Sequence, residues 1–400
     1  MRMSKKKEPV PKLRFSEFTG KWKNDKLGNI FINRQETGFS DLPLMSLTDE
    51  YGLVPQQETN KKDNSSANKS KYLRVCEGDI VYNTMRMWQG RCVYCKNEGI
   101  VSPAYTVCIP KDTCDGVFFN YYFKTYGLIQ KFHANSQGLV SDTLNLKFDK
   151  FASIAIVYPT KKDEQRKIAD CLSTIDELID AESRKLKALE KYKKGLMQKL
   201  FPAEGKTLPE WRFPEFRGKN GWRIKPLGKI CTNYDSKRVP ITEKNRVRGK
   251  IPYIGASGVI DYINDFIFDE DLLCVSEDGA NLVARTYPIA FSIYGKTWVN
   301  NHAHVLKFAC KYTQNIVESY LNMINLQDFL TGMAQPKLNR AKLDIIPIPL
   351  PEEKEQQKIS DCLSEIDTII TEQSNKVKQL KAHKKGLMQG LFPSFEEADV

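Results

Sequence analysis

The sequence from Glu164 to Pro202 reads EQRKIADCLSTIDELIDAESRKLKALEKYKKGLMQKLFP, and that from Glu355 to Pro393 reads EQQKISDCLSEIDTIITEQSNKVKQLKAHKKGLMQGLFP. The two stretches align without a gap at a constant offset of 191 residues, and 24 of their 39 positions are identical. Self-similarity of this kind indicates an internal duplication. The prediction of the fold starts from this repeated segment.

Apolar residues recur in both copies at alternating intervals of four and three residues, over about five heptads. This spacing predicts two long helices that pair along an apolar seam as a coiled coil, and we expect the pairing to be antiparallel. The seam residues are Ile168, Leu172, Ile175, Ile179, Leu186, Leu189, Leu196 and Leu200 in the first copy and Ile359, Leu363, Ile366, Ile370, Val377, Leu380, Leu387 and Leu391 in the second. Two seam positions are polar in both copies, which can fix register and partner choice at some cost in stability; they are Glu182 with Gln373 and Lys193 with Lys384. The alternative is that each helix packs only on its own domain.

The repeat also includes a short lead-in, because residues 13–31 resemble residues 211–231. The blocks between lead-in and helix barely resemble each other, which indicates that they diverged while the helices were kept. The sequence therefore predicts an α+β chain of two globular domains in a pseudo-two-fold arrangement, joined by the two helices. The predicted parts are a first lobe with its lead-in (1–160), a central helix (161–202), a second lobe (203–350) and a C-terminal helix (351–400).

Alternating and continuous apolar runs predict the elements inside the lobes. Predicted strands lie in GDIVYNTM (78–85), AYTVCIP (104–110), IAIVYP (154–159), DLLCVSE (271–277), HVLKFA (304–309) and IIPIPLP (345–351). Predicted helices lie in VFFNYYFKTYGLIQKF (117–132) and NIVESYLNMINLQDFL (315–330).

The composition favours a polyanionic partner. The chain carries 61 Lys and Arg against 49 Asp and Glu, a formal charge of +12, and a basic balance of this kind attracts nucleic acid. No run of 18 apolar residues is present, so no membrane span is predicted. The charged start MRMSKKKEPVPKLRF lacks the apolar region of a secretory signal, and the ten cysteines are then expected to be reduced thiols in the cytoplasm.

Patterns typical of catalytic or metal sites are incomplete in this sequence. Cys92 and Cys95 form a CxxC pair, but a zinc site needs a second close pair of ligands. His302 and His304 lie two residues apart without an accompanying carboxylate motif. The segment AFSIYGKT has Ala290 where the first glycine of a phosphate-binding loop belongs. We therefore predict a non-catalytic chain without a metal site.

The order of variable block and long helix, with the segments KKGLMQ.LFP and P..EQ.KI, resembles the specificity subunit of type I restriction–modification enzymes. The segments EFRGKNGWRIKPLG, NTMRMWQG and GMAQPKLN (332–339) add to the resemblance, which covers nearly the whole chain. One departure is that GMAQPKLN has only a loose counterpart in the first lobe, SQGLVSDTLNL (136–146).

The resemblance implies that each lobe is a target-recognition domain reading one half of a bipartite, asymmetric DNA site. The helices would act as a spacer and dock two methyltransferase subunits, which recruit two translocase–nuclease subunits. Adenine methylation, ATP hydrolysis and cleavage would belong to these partners. This chain would bind no cofactor, and S-adenosylmethionine, ATP and magnesium are expected on the partner subunits. The alternative is a duplicated coiled-coil scaffold without sequence-specific DNA binding.

Side chains that read bases or hold phosphates are predicted at strand ends and in basic loops. In the first lobe these are Asn83, Arg86, Trp88, Gln89 and Arg91. In the second lobe they are Lys237, Arg238, Lys244, Arg246, Arg248, Ser276, Glu277 and Asn281, and the resemblance adds Gln335, Lys337, Asn339 and Arg340.

Overall fold

The computed structural model describes residues 11–48, 52–59, 65–140, 143–332 and 335–393. The chain divides into two compact units, one formed by Met1–Ser183 with Lys376–Val400 and the other by Arg184–Asn375. Both division points fall inside long helices. Each unit therefore contains one lobe, the start of one long helix and the end of the other.

The first unit mixes short strands with helices, in agreement with the predicted α+β class. Its elements are β1 (Lys23–Lys26), α1 (Leu27–Ile30), β2 (Phe31–Arg34), β3 (Met45–Thr48), β4 (Gly52–Pro55), β5 (Leu73–Val75), β6 (Ile80–Asn83), β7 (Cys92–Tyr94), β8 (Gly99–Val101), β9 (Tyr105–Pro110), α2 (Gly116–Tyr122), α3 (Tyr126–Asn135), α4 (Phe148–Ser153), β10 (Ala155–Tyr158) and the long helix α5 (Lys162–Leu200), which continues into the second unit.

The second unit has the same class of structure. Its elements are β11 (Arg223–Pro226), β12 (Thr232–Asn233), β13 (Arg248–Gly255), β14 (Gly258–Ile263), β15 (Phe268–Asp269), β16 (Leu272–Ser276), α6 (Asn281–Ala284), β17 (Ala290–Ile293), β18 (Lys296–Val299), β19 (Ala303–Lys307), α7 (Lys311–Met323), α8 (Arg340–Asp344), β20 (Pro347–Leu350) and the long helix α9 (Glu353–Leu391), which ends in the first unit.

Both lobes contain an equivalent four-stranded antiparallel sheet despite their different sequences. Its strand order is β2-β9-β6-β7 in the first lobe and β12-β19-β16-β17 in the second. The register also corresponds, since Tyr82 pairs with Thr106 and Val275 pairs with His304. The strands are apolar at consecutive positions because both faces are covered: Tyr82 belongs to the main core of its unit and the adjacent Val81 to a smaller apolar cluster.

Ion pairs within each unit fix the antiparallel pairing of α5 and α9. The pairs in the first unit are Asp176–Lys384, at 2.5 Å, and Glu182–Lys376, at 2.5 Å, and the pair in the second is Lys193–Asp367, at 2.5 Å. As the residue number rises in one helix it falls in the other, as antiparallel packing requires. All predicted seam residues are buried or half-buried. The predicted pairing of the two helices is confirmed.

The charge pattern of the helices explains this orientation. Residues 162–183 of α5 carry seven acidic and three basic side chains, whereas residues 184–200 carry one acidic and seven basic. In α9, residues 353–375 carry six acidic and two basic side chains, whereas residues 376–391 carry five Lys and no acidic residue. Antiparallel packing places the acidic part of one helix beside the basic part of the other, and each distribution also complements the helix dipole.

The lead-ins bind the ends of the long helices. The backbone N–H of Leu13 donates to the carbonyl of Gly390 at 2.8 Å, and that of Trp211 donates to the carbonyl of Lys199 at 2.9 Å. These carbonyls lie in the last turns of α9 and α5, which have no partner within their own helix. The repeated lead-in thus caps one long helix in each unit.

The lead-ins also hold the helix starts through a buried ion pair. Arg14 donates to both carboxylate oxygens of Glu164, at 2.8 and 2.9 Å, and Arg212 does the same to Glu355, at 2.7 and 2.7 Å. Trp22 adds a third donor to Glu164 at 3.0 Å. The glutamate of the repeated EQ.KI segment therefore has a framework role inside the chain.

The phenylalanine of each LFP segment anchors the far end of its helix. Phe392 is buried and stacks on Tyr122, with ring centroids 4.9 Å apart. Phe201 is buried against Trp222 and Tyr320, at 5.9 and 5.8 Å. The LFP segment, the most recognisable part of the repeat, therefore places one phenylalanine in the core of each unit.

The repeated LG dipeptide marks a close approach of backbones. A Cβ on Gly28 would lie 2.8 Å from the Cβ of Ala152, and one on Gly228 would lie 2.9 Å from the Cβ of Asp344. Both glycines follow a strand that pairs with the strand before the long helix, β1 with β10 and β11 with β20. A larger residue would push the two segments apart.

Candidate nucleic-acid interface

Each four-stranded sheet ends in a tip built from three chain segments. In the first lobe the N–H of Thr84 donates to Ala104 at 3.1 Å, and the N–H of Leu146 donates to Thr84 at 2.8 Å. In the second lobe the N–H of Glu277 donates to His302 at 2.9 Å, and the N–H of Leu338 donates to Glu277 at 2.8 Å. In each lobe, equivalent backbone bonds thus join the end of one strand, β6 or β16, to the start of its neighbour, β9 or β19, and to a third loop later in the chain.

The third loop of each tip contains the segment that corresponds only loosely in sequence between the two lobes. In the first lobe it is closed by a bridge between Gln137 and Asn145, and in the second by a bridge between Thr331 and Lys337. SQGLVSDTLNL and GMAQPKLN therefore occupy equivalent places, although residues 141, 142, 333 and 334 lie outside the described part of the chain.

The first-lobe candidates form one turn after β6. The side chain of Asn83 accepts from the N–H of Met85 at 2.9 Å, and the indole of Trp88 donates to the carbonyl of Met85 at 3.0 Å. The ring of Trp88 also meets His133 edge-on at 5.8 Å. These two side chains shape the turn, while the exposed candidates on it are Arg86, Gln89 and Arg91.

Two of the arginines in the basic loop of the second lobe are bound inside the lobe. Arg238 donates to Glu277 at 2.8 Å and to the carbonyl of Ala303 at 2.8 Å. Arg246 donates to Asp261 at 3.2 Å, and its guanidinium stacks on a tyrosine ring. Lys237 and Lys244 remain exposed in this loop, and Arg248 is exposed at the start of β13.

The remaining second-lobe candidates separate into buried and exposed groups. Ser276 is buried and donates to the carbonyl of Ala256 at 2.6 Å, while buried Asn281 accepts from Thr286 and Tyr287. The side chain of Asn339 caps α8 by accepting from the N–H of Lys342 at 3.0 Å. The exposed members of this group are Gln335, Lys337 and Arg340.

Sequence reasoning missed the charged network under the second tip. His304 is 1% exposed, and its Nδ1 lies 2.6 Å from a carboxylate oxygen of Asp235. Its Nε2 lies 2.7 Å from the carbonyl oxygen of Leu338. Glu277 adjoins this ring at 3.9 Å and also pairs with Lys337 at 3.3 Å. The HAH pattern drew attention to His304, but its partners are 34 to 69 residues distant in sequence, and no local spacing indicates them.

The network alters the acidity of its carboxyl groups. Burial acts most strongly and would raise the pKa of Asp235, but the hydrogen bond and charge of His304 and the N–H of Val305 bring the pKa below its ordinary value. Burial likewise acts to raise the pKa of Glu277, and Arg238 together with His304 lowers it overall. Both groups are therefore held as carboxylates.

We expect acid to weaken the second lobe through these two groups. A carboxyl whose folded pKa is lowered adds stability that is complete above its unfolded pKa and is lost as the pH falls through its folded pKa. The free energy of unfolding of the wild type should therefore exceed that of an Asp235→Asn, Glu277→Gln double variant at neutral pH, and the difference should shrink below about pH 4. Chemical denaturation over a series of pH values measures this difference, and a constant difference would contradict the assignment.

Two equivalent clefts lie where the long helices end. In the first unit a cleft of about 770 Å³ is lined by the end of α9 and by residues 124–126, and in the second a cleft of about 690 Å³ is lined by the end of α5 and by residues 322–324. Four helix residues are the same in both clefts, namely Lys384, Lys385, Met388 and Gln389 in the first and Lys193, Lys194, Met197 and Gln198 in the second. The next equivalent position differs, with Lys381 in the first cleft and Glu190 in the second, and residues 360–367 of α9 line only the second cleft. The residues on the lobe side differ.

A glycine follows the two cleft lysines in each long helix, Gly195 after Lys194 and Gly386 after Lys385, and is not among the residues that line the clefts. Apart from the adjacent residues and the backbone of the helix itself, no atom of the described residues lies within 4 Å of a Cβ built on Gly195 or on Gly386. Glycine in a helix interior costs about 1 kcal/mol relative to alanine. The described part of the chain therefore contains no packing reason for keeping either glycine.

The described residues contain no group of His, Cys, Asp and Glu side chains arranged to hold a metal ion. Cys92 and Cys95 are both buried and belong to different apolar clusters. Burial raises the pKa of the Cys92 thiol to about 11. Within the same residues, none of the helices has the length and apolarity of a membrane span.

The chain has the organisation of a DNA-specificity protein: two lobes of one topology, each followed by a copy of one helix. The model of the family described as "Type I restriction modification DNA specificity domain" matches residues 20–191 and 219–381. The chain belongs to this family, which confirms the resemblance.

Curated relatives carry the same description. A putative type I restriction enzyme specificity subunit of Haemophilus influenzae is 33% identical over 148 residues, which cover 37% of this chain and 38% of that relative. The MjaVIII specificity subunit of Methanocaldococcus jannaschii is 24% identical over 358 residues, which cover 81% of this chain and 82% of that relative.

Solved structures share the fold. The S subunit of a type I restriction–modification system from M. genitalium has a TM-score of 0.64 at 16% identity, covering 97% of this chain and 100% of that one. A chain from a structure on complex assembly and conformational transition of the type I R-M system has a TM-score of 0.57 at 15% identity, covering 94% and 99%.

Proposed function

We propose that this chain is the non-catalytic, DNA-reading subunit of a type I restriction–modification complex, in which each lobe tip reads one half of a bipartite, asymmetric site. The observation that carries the proposal is that two tips of the same construction present different exposed side chains. Equal construction gives both tips one way of approaching a duplex, and different side chains read different bases. The predicted contacts on the exposed surface are Arg86, Gln89, Arg91, Lys237, Lys244, Arg248, Gln335, Lys337 and Arg340.

The paired long helices would serve as the spacer between the half-sites and as docking sites for two methyltransferase subunits, which recruit two translocase–nuclease subunits. S-adenosylmethionine, ATP and magnesium would be bound by those partners. The four helix residues common to the two clefts support two copies of one partner, because they offer the same two lysines, methionine and amide twice. Gly195 and Gly386 fit the same purpose, since a partner backbone packed against the helix needs a position without a side chain.

The docking proposal predicts opposite effects on stability and on assembly. Gly195→Leu and Gly386→Leu should each leave the free energy of unfolding unchanged or raise it by up to about 1 kcal/mol, because leucine is the better helix former. Each single variant should bind one methyltransferase subunit instead of two, and the double variant none, as measured by native mass spectrometry of the co-expressed complex. Ser374→Leu, at an exposed position on α9, is the control and should bind two. Full assembly of the double variant would contradict the docking surface.

DNA reading is tested with the complex of this chain and the methyltransferase subunits. Selection of bound fragments from sheared genomic DNA should enrich a single sequence with two separated, unlike half-sites. Binding of all fragments with equal affinity would favour the alternative, a duplicated scaffold that binds protein only.

A further inference from the structure

Under the tip of the second lobe lies a histidine whose two ring nitrogens both face hydrogen-bond acceptors. Nδ1 of His304 faces the carboxylate of Asp235 at 2.6 Å, and Nε2 faces the carbonyl oxygen of Leu338 at 2.7 Å. A carboxylate and a carbonyl only accept hydrogen bonds, so satisfying both requires a proton on each nitrogen. The ring is 1% exposed, which leaves water no access to replace either bond.

We propose, building on the proposed function, that His304 is a positioning residue for DNA reading, holding the loop of Gln335 and Lys337 in place for the second half-site. The connection runs from the ring through Leu338, the residue that directly follows Lys337. The loop has no other side-chain donor of this kind under it among the described residues. Its remaining ties to the end of the sheet are backbone bonds at Gly279 and Glu277 and the ion pair of Lys337 with Glu277.

The charged groups around the ring make this support rigid. Asp235 accepts from the N–H of Val305 at 2.9 Å as well as from the ring. Glu277, at 3.9 Å from Nδ1, is joined to Arg238 at 2.8 Å and to Lys337 at 3.3 Å. Lys337, one of the exposed side chains proposed to contact DNA, is therefore linked by its ion pair with Glu277 to the same buried network that holds the loop backbone. Charge-assisted hydrogen bonds of this kind are the stronger ones in proteins.

The first lobe provides an internal comparison. The register of its sheet places Thr106 at the position of His304, opposite Tyr82 as His304 lies opposite Val275. A threonine hydroxyl has one proton to donate and does not span two acceptors in this way. The support is therefore particular to the second lobe, and a change at His304 should affect one half-site only.

Two amide substitutions separate the two bonds of the ring. The Asn amide nitrogen occupies the place of Nδ1 and the Gln amide nitrogen that of Nε2, so His304→Asn keeps the donor to Asp235 and His304→Gln keeps the donor to Leu338. The test uses the complex of this chain with methyltransferase subunits. Its binding is measured to duplexes that carry the sequence the complex methylates, either intact or with base changes in one half-site. Discrimination is the ratio of dissociation constants for changed and intact duplexes.

We expect His304→Asn to lose about tenfold in discrimination at the second half-site, the effect of one buried hydrogen bond, and His304→Gln to retain most of it. Discrimination at the first half-site should equal that of the wild type in both variants. The unfolding midpoints of both variants are also measured. If His304 has only a structural role, the loss of discrimination should follow the loss of stability in both variants and at both half-sites.

Three outcomes would overturn the inference: unchanged discrimination in both variants, equal loss in both, or equal loss at both half-sites. If the wild type discriminates at both half-sites and one of these results is found, the proposed function still holds and His304 does not have the proposed role. A wild type that discriminates neither half-site removes the proposed function and this inference together.

Discussion

Replacing Arg212 by alanine is expected to lower the free energy of unfolding by about 3–5 kcal/mol, since it leaves a buried carboxylate without its cation. The side chain of Glu355 is 1% exposed and that of Arg212 9%, and both carboxylate oxygens accept from this one guanidinium. Chemical denaturation of the purified chain measures the loss.

The duplication supplies matched controls for this substitution. Arg14→Ala should cost less than Arg212→Ala, because Trp22 still donates to Glu164. Lys219→Ala removes an ion pair with Glu352 in which both side chains are nearly half exposed, and exposed pairs contribute about 0–1 kcal/mol. A loss for Arg212→Ala no larger than that for Lys219→Ala would show that the lead-in does not hold the helix start.

Phe392→Ala is expected to lower the free energy of unfolding by about 3–5 kcal/mol, the range for removing a buried phenylalanine. Phe392 is 2% exposed and packs against Tyr122 and against Phe118, at 4.9 and 5.4 Å between ring centroids. The substitution leaves a cavity in the aromatic core and releases the end of α9. The same measurement applies.

Phe392→Leu is the matched control, since it keeps an apolar side chain in the site and should cost clearly less than alanine. Phe201→Ala makes the equivalent cavity in the second unit and should give a loss in the same range. A loss under about 1 kcal/mol for both alanine variants would contradict the role assigned to the LFP segments.

Much of the fold was predictable because its information is local and repeated. The heptad spacing predicted α5 and α9, and each of the six predicted strand segments overlaps a strand, from β6 within 78–85 to β20 within 345–351. Residues 117–132 were predicted as one helix and form parts of two. The chain is extended at Thr125, whose hydroxyl donates to the carbonyl of Tyr122 at 2.7 Å, and this residue is the N-cap of α3. An apolar run alone does not indicate such a break.

The candidate site was less predictable because its partners are distant in sequence. Arg238 and Arg246 look like phosphate ligands in a basic loop, yet their partners, Glu277 and Asp261, come 39 and 15 residues later. Composition identified the loop, and only the tertiary structure separates its internal arginines from its exposed side chains. Two parts of the repeated motifs that carry the family resemblance, the glutamate of EQ.KI and the phenylalanine of LFP, likewise have framework contacts that the sequence alone does not indicate.

The central claim is that the matched helices set the geometry while the unlike tips choose the bases. Sequencing of methylated adenines in cells that express this chain with its methyltransferase subunits tests it most directly, for the wild type and for a Gln335→Ala, Lys337→Ala variant. The account predicts one asymmetric site of two separated half-sites, with any change in the variant confined to one half. A continuous palindrome, the absence of a common sequence, or a change in both halves would contradict it.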